Sequence, residues 1–166
     1  MKILRLLSLE LGRLLHRRLT WAAVVLTALS PLVGLLLYKP AVASTMSTIY
    51  LANPAIAGGV VGGILFALLT VFELDRVHRN RVDLLTDAAV SPLTMALVGH
   101  LALLAAAGLT LCLTILAWLP VSQALIGSVF DLREFLLAYS LFMGLTIPLS
   151  ILTAGAVYQF TRRADL

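Results

Sequence analysis

The chain has 166 residues, of which 61% are hydrophobic and 12% are charged, and its mean hydropathy is +1.04. This composition excludes a soluble domain and predicts an integral membrane protein. A formal net charge of +4 would suggest nucleic acid in a soluble protein, but in a membrane protein it follows from topology, so no nucleic-acid partner is expected.

Residues 1–18 alternate leucines with bases at helical spacing. One face collects Ile3, Leu4, Leu7, Leu11, Leu14 and Leu15, and the opposite face collects Lys2, Arg5, Arg13 and His16. The pattern predicts an interfacial amphipathic helix whose apolar side lies in the headgroup boundary of the lipid bilayer. The alternative interpretation is that residues 1–18 are only a basic leader that precedes the first membrane span.

Four apolar segments follow, each long enough at 1.5 Å per residue to cross most of a ~30 Å hydrocarbon core. These predicted transmembrane helices are 19–37, 55–72, 93–119 and 135–160. Proline is expected to bend the first at Pro31, to close the third at Pro120 and to interrupt the fourth at Pro148. Residues 41–54 are expected to form an outer loop. The fold class is therefore an all-α membrane protein with a single membrane domain, residues 1–166.

A GGVVGG stretch lies in the second span. It puts Gly58 with Gly62, and Gly59 with Gly63, on the same side of a helix. Such pairs of small residues let helix backbones approach closely in a bilayer, so these four glycines are predicted to pack against other helices. A phosphate-binding loop is disfavoured because no strand precedes the stretch and no lysine follows it.

The distribution of bases predicts the orientation of the chain. With the N-terminus in the cytoplasm, ten bases collect on the inner side: Lys2, Arg5, Arg13, Arg17, Arg18, Arg76, Arg79, Arg81, Arg162 and Arg163. Only Lys39 and Arg133 fall on the outer side. The positive-inside rule therefore places both termini and residues 73–91 in the cytoplasm.

A polar island, residues 73–92, separates the second and third spans. Its helical register puts Leu74, Val77, Leu84, Leu85 and Ala88 on one side, and Asp75, Arg76, Arg79, Asp83 and Asp87 on the other. This pattern predicts a short amphipathic helix, and Ser91 and Pro92 are a natural N-cap and first residue for the next helix. Four acids and three arginines between residues 73 and 87 give a net charge of minus one. Such a mixed-charge face favours a protein partner over anionic lipid.

The sequence contains no Walker-type loop and no HExxH, CxxC or GxSxG motif, so neither a catalytic site nor a bound cofactor is expected. His16, His78 and His100 could converge on a metal with Glu73, and a membrane-embedded metalloenzyme is the least favoured reading because their spacing matches no known ligand pattern. Glu73 ends the second span, where a carboxylate needs a partner or water, and Arg76 is the simplest candidate. No acid or base lies deep inside a span, which argues against a proton-coupled carrier.

Together these features resemble the permease subunits of type-2 ATP-binding-cassette (ABC) transporters. The matching positions are Glu73, Arg76, Leu84, Leu85, Val90-Ser91-Pro92 and Gly99-His100. In that family the first helix is an elbow in the membrane surface, and the segment between spans two and three is a coupling helix that docks in a separate ATPase subunit. The resemblance implies this role for residues 76–88. The implied partner-binding residues are Glu73, Arg76, Val77, Asn80, Asp83, Leu84, Leu85, Asp87 and Ala88.

The resemblance implies a permease for export in the bacterial cytoplasmic (inner) membrane. A cytosolic ABC ATPase would bind ATP and Mg²⁺, and the permease would work as a homodimer or with a second permease subunit. Two features depart from the family pattern, because the glycine-threonine pair that often follows the family's glutamate is absent and His100 stands where lysine is common. Such permeases usually have six spans. Three interpretations of the four predicted spans therefore stay open: a shortened permease, a fragment, and one piece of a larger assembly. The alternative function is a non-transporting scaffold or assembly subunit of a membrane complex.

Overall fold

A computed structural model of the chain describes residues 2–37, 46–79 and 91–164. The described residues form six α-helices and one short 3₁₀ turn, and they contain no strand. The helices are α1 (Lys2–Leu15), α2 (Arg18–Leu29), α3 (Pro31–Leu37), α4 (Met46–Arg79), α5 (Pro92–Ile126) and α6 (Leu132–Ala164), with the 3₁₀ turn at Gly127–Val129.

Four stretches of these helices are long and apolar enough to cross a membrane: Arg18–Leu36, Tyr50–Arg76, Thr94–Val129 and Leu132–Thr161. The predicted all-α, four-span membrane fold is thereby confirmed, and the chain is a multi-pass membrane protein. The first stretch combines α2 and α3, which are separated by a turn at Ser30, immediately before Pro31.

The second span begins earlier than the hydropathy pattern predicts. Helix α4 starts at Met46 and runs through Pro54, so the prediction of an outer loop is wrong for residues 46–54. Proline removes only one helical hydrogen bond. Leu51 and Ala55, on either side of it, are buried in the core, and this packing stabilises the helical path.

The third and fourth spans also continue through their prolines. Helix α5 passes Pro120 and ends only at Ile126, and α6 contains Pro148 without a break, so the predicted end and interruption are wrong. In hydrocarbon, unwinding a turn would expose several backbone groups, whereas proline leaves one carbonyl without its donor. Helix α5 stops at Gly127, which has a φ of 69°, a conformation that glycine adopts without a steric penalty.

The core of the bundle is the contact between α4 and α6, the most extensive in the fold. All four glycines of the GGVVGG stretch lie in this contact. A Cβ atom at Gly58 would lie 2.6 Å from the sulfur of Met143, and one at Gly63 would lie 2.8 Å from Oγ of Ser150. Large side chains such as Phe66 fill the remaining space.

Helix α1 packs onto the bundle rather than lying wholly in the headgroup boundary. It contacts α5, and Leu14 is only 1% exposed. Leu7 and Leu11, which lie on the same predicted lipid-facing side, also pack against the core. The prediction that this side faces lipid is therefore wrong for these three leucines. Helix α1 can pack on the bundle because these three leucines, spaced three or four residues apart, form a continuous apolar stripe along the helix.

Candidate functional site

A buried carboxylate lies at the last turns of α4. The Glu73 side chain is 8% exposed, and Nη2 of Arg13 donates a hydrogen bond of 2.9 Å to its Oε2. Nη1 of Arg17 donates to the other carboxylate oxygen, Oε1. Nε of Arg76 lies 3.4 Å from Oε2. One carboxylate is therefore paired with three guanidinium groups, two of which come from the N-terminal part of the chain.

The docking of α1 brings these arginines to Glu73. Arg13 lies in the last turn of α1, directly before the buried Leu14. The chain then turns, with the backbone N–H of Arg17 donating to the carbonyl of Leu14 at 3.1 Å, and Arg17 becomes the N-cap residue of α2. Packing of leucines on α5 thus positions both cations beside α4.

Glu10 extends the cluster along α1. Its Oε2 accepts from Nε of Arg13 at 2.8 Å and from Nη2 at 2.5 Å. The five side chains, which we call the Glu73 cluster, are Glu10, Arg13, Arg17, Glu73 and Arg76, and three arginines against two glutamates leave a net charge of +1. Charge-assisted hydrogen bonds in such a poorly hydrated place are stronger than in water. The cluster therefore fixes α1, α2 and α4 relative to one another.

Other polar contacts at the same end of the bundle join α4, α5 and α6. The hydroxyl of Tyr158 donates to Oδ1 of Asp75 at 3.3 Å, which links α6 to α4 two residues beyond Glu73. His100 Nδ1 donates to the carbonyl of Ala96 at 2.8 Å, and its Nε2 faces Gly155 on α6.

The predicted partner-binding residues divide into two groups. Glu73 and Arg76 belong to the Glu73 cluster, and Val77 lies in α4. The residues outside the described part of the chain are Asn80, Asp83, Leu84, Leu85, Asp87 and Ala88. Residues 76–79 continue α4, so the predicted separate amphipathic helix cannot begin at Arg76. The predicted N-cap is confirmed, since Oγ of Ser91 accepts from the N–H of Thr94 at 3.3 Å.

Arg13 and Arg17 pair with Glu73, although the sequence pattern did not predict either of them as its partner. Arg76 was the expected partner of Glu73, yet it lies farther from the carboxylate than either of them. The two bases are four residues apart, and the leucine stripe before them could have indicated that this part of the chain docks on protein. A buried glutamate then requires a base from another segment.

Of the three histidines, His16 and His100 each form a hydrogen bond to the backbone carbonyl four residues earlier in the chain. Nδ1 of His16 donates to the carbonyl of Gly12 at 2.7 Å, and His100 bonds to Ala96. Within residues 2–37, 46–79 and 91–164, no group of three or more His, Cys, Asp or Glu residues is positioned to hold a metal ion.

Replacing Gly155 by alanine is expected to lower the free energy of unfolding by about 1–2 kcal/mol through overpacking. The new Cβ would lie 2.5 Å from Nε2 of His100, and the ring cannot move away without breaking its hydrogen bond to Ala96. Unfolding in mixed detergent micelles measures the change. Adding His100→Ala should remove most of the clash, which a double-mutant cycle detects. Equal stability of the Gly155→Ala and Gly99→Ala variants would contradict the prediction, because a Cβ at Gly99 meets nothing within 4 Å.

The four apolar spans and the charged cluster at one end of the bundle define an α-helical, multi-pass membrane protein. No protein-family model matches the chain, and neither a curated protein nor a solved structure is significantly similar to it.

Proposed function

We propose that the chain is the transmembrane permease subunit of an ABC-type export system in the bacterial cytoplasmic membrane, with both termini in the cytoplasm. The observation that carries this proposal is the pairing of Glu73 with Arg13 and Arg17. It joins the N-terminal helix to α4 six residues before that helix ends at Arg79.

The cluster connects the cytoplasmic segment mechanically to the helices that span the membrane. Glu73 lies six residues before the end of α4 at Arg79, so a displacement of the following segment acts on a helix that is already fixed to α1. Helix α4 in turn packs closely on α6 through its glycines. Packed helices with small residues at their contact can slide or tilt as units.

The energy for transport would come from a separate subunit. A cytosolic ABC ATPase would bind ATP and Mg²⁺ and contact residues 76–88, and the permease itself would hydrolyse nothing. A second copy of the chain, or a second permease subunit, would complete the translocation pathway.

The test replaces the apolar side of the cytoplasmic segment. Leu84→Asp combined with Leu85→Asp is expected to abolish co-purification of a cytosolic ABC ATPase, because two charges would have to be buried in the docking cleft. Val129→Asp is the control, since Val129 is exposed in the 3₁₀ turn at the opposite end of the bundle. The proposal is wrong if no ATPase accompanies the wild-type protein, or if the double variant retains it.

A non-transporting scaffold subunit is the second candidate, and the four-span fold favours it because a short bundle suffices to display a cytoplasmic segment. The two candidates differ in ATP dependence. Reconstitution with the co-purifying cytosolic partner distinguishes them: a permease should alter the partner's ATPase rate, whereas a scaffold should bind a partner without ATPase activity.

A further inference from the structure

The face of α1 that points away from the bundle carries both apolar and cationic side chains. Leu4 is 70% exposed and Leu9 is 69% exposed, and the exposed Arg5 lies between them in the helical register. This face is distinct from the stripe that packs on α5. Large leucines so exposed are unfavourable in water, which indicates that this face meets acyl chains.

The start of α2 continues this arrangement. Arg18 is exposed, and so is the adjacent Leu19. Trp21 is also exposed, and its indole N–H donates to the carbonyl of Leu15 at 2.7 Å. Tryptophan with an apolar ring and a satisfied N–H is typical of the membrane–water interface. The corner between α1 and α2 therefore lies at headgroup depth.

Two cations at this corner have no ion-pair partner among the residues that the structure describes. Arg13 and Arg17 pair with Glu73, whereas neither Arg5 nor Arg18 forms an ion pair with any of the residues that the structure describes. The segment 1–21 contains five bases, Lys2, Arg5, Arg13, Arg17 and Arg18, against one acid, Glu10, for a net charge of +4. By contrast, residues 73–87 carry minus one.

We propose that the corner formed by α1 and the first turn of α2 binds anionic phospholipids, with Arg5 and Arg18 contacting the headgroup phosphates. A guanidinium group donates several hydrogen bonds in a planar fork that matches phosphate oxygens. The surface potential of an anionic leaflet attracts each arginine close to it. The site binds a lipid rather than a free anion, because the neighbouring Leu4, Leu9 and Leu19 form an apolar surface. Acyl chains can contact this surface, whereas a free anion has no apolar part to place there.

Native mass spectrometry of the purified full-length protein tests the proposal. The protein is titrated with phosphatidylglycerol and with phosphatidylcholine of the same acyl chains, and the ratio of the two dissociation constants is determined. The wild type should prefer phosphatidylglycerol. Arg5→Gln with Arg18→Gln should reduce the preference by about five-fold per arginine. Arg133→Gln is the matched control, since Arg133 is exposed at the other end of the bundle and the charge change per residue is the same.

Three outcomes would overturn the proposal: no preference in the wild type, an unchanged preference in the double variant, or an equal loss per arginine in Arg133→Gln. A thermal melt checks that the double variant is folded, as expected because both side chains are exposed. A further titration adds inorganic phosphate, with sodium chloride of equal ionic strength as reference. Similar displacement by both salts supports a lipid site, whereas selective displacement by phosphate would indicate a free-anion site and contradict the proposal.

Discussion

Replacing Glu73 by glutamine is expected to lower the free energy of unfolding by about 2–4 kcal/mol, because it leaves three guanidinium groups facing each other without their shared carboxylate. The three arginine side chains retain 27–35% exposure, which places the cost below that of a fully buried pair. Glutamine has nearly the same volume, so the loss reports charge rather than packing. Reversible unfolding in mixed detergent micelles provides the measurement.

Glu10→Gln is the matched control for this substitution. Both glutamates bind Arg13, but Glu10 lies within α1 and is the more exposed of the two, with 22% of its side chain accessible. A pair three residues apart on one helix stabilises by about 0.2–0.5 kcal/mol, so the control should cost less than 1 kcal/mol. Equal effects of the two substitutions would show that Glu73 does not fix α1 to α4.

A second readout separates local from global effects. If Glu73 holds α1 in place, Glu73→Gln should increase hydrogen exchange of the α1 amides well before the bundle unfolds. The amides of α5 and α6 should be protected as in the wild type. Uniform loss of protection across all the helices would instead indicate a general destabilisation of the fold.

The fold class and the number of spans could be predicted because hydropathy is a local property. About twenty apolar residues suffice to mark a crossing, whatever they contact. The same local reasoning failed at Pro120 and Pro148, where proline was expected to end or interrupt a helix, and it failed at residues 46–54, which were expected to form a loop. In each case the helix continues, since a bilayer penalises exposed backbone more strongly than the loss of one hydrogen bond.

The partners of Glu73 could be predicted only in part. The sequence shows that a carboxylate at the end of a span needs a cation, and Arg76 is the nearest along the chain. Arg13 and Arg17 are some sixty residues away, and their approach depends on how α1 docks on α5. That docking is a tertiary property, which helical periodicity of α1 alone does not contain.

The glycine pattern shows the same division between local and tertiary information. The spacing of the GGVVGG stretch predicts that one side of α4 meets another helix closely, but it does not say which helix. The structure assigns α6 to all four positions and adds Thr27 of α2 beside Gly62. The closest approach is at Gly59, where a Cβ atom would collide with the backbone carbonyl of Phe142.

Gly59→Ala is therefore expected to destabilise the bundle by about 2–3 kcal/mol, at the upper end of the cost of overpacking. At Gly58 and Gly62 a neighbouring side chain such as Met143 can rotate away, but at Gly59 the obstacle is main chain, so α4 and α6 must move apart along their length. Separation of these helices also weakens the contacts of Gly63 with Ser150. The unfolding free energy in detergent micelles measures the effect.

Gly108→Ala, in the spanning helix α5, is not expected to destabilise the bundle. A Cβ at Gly108 meets nothing within 4 Å, and alanine is the better helix former by about 1 kcal/mol, so this variant should be as stable as the wild type or more so. A loss for Gly108→Ala as large as that for Gly59→Ala would mean that helix propensity or insertion, rather than the α4–α6 contact, governs the result. A loss in Gly59→Ala that Gly108→Ala does not share supports a close approach of the α4 and α6 backbones at this position, because the atom that the new methyl group would meet there is the main-chain carbonyl of Phe142.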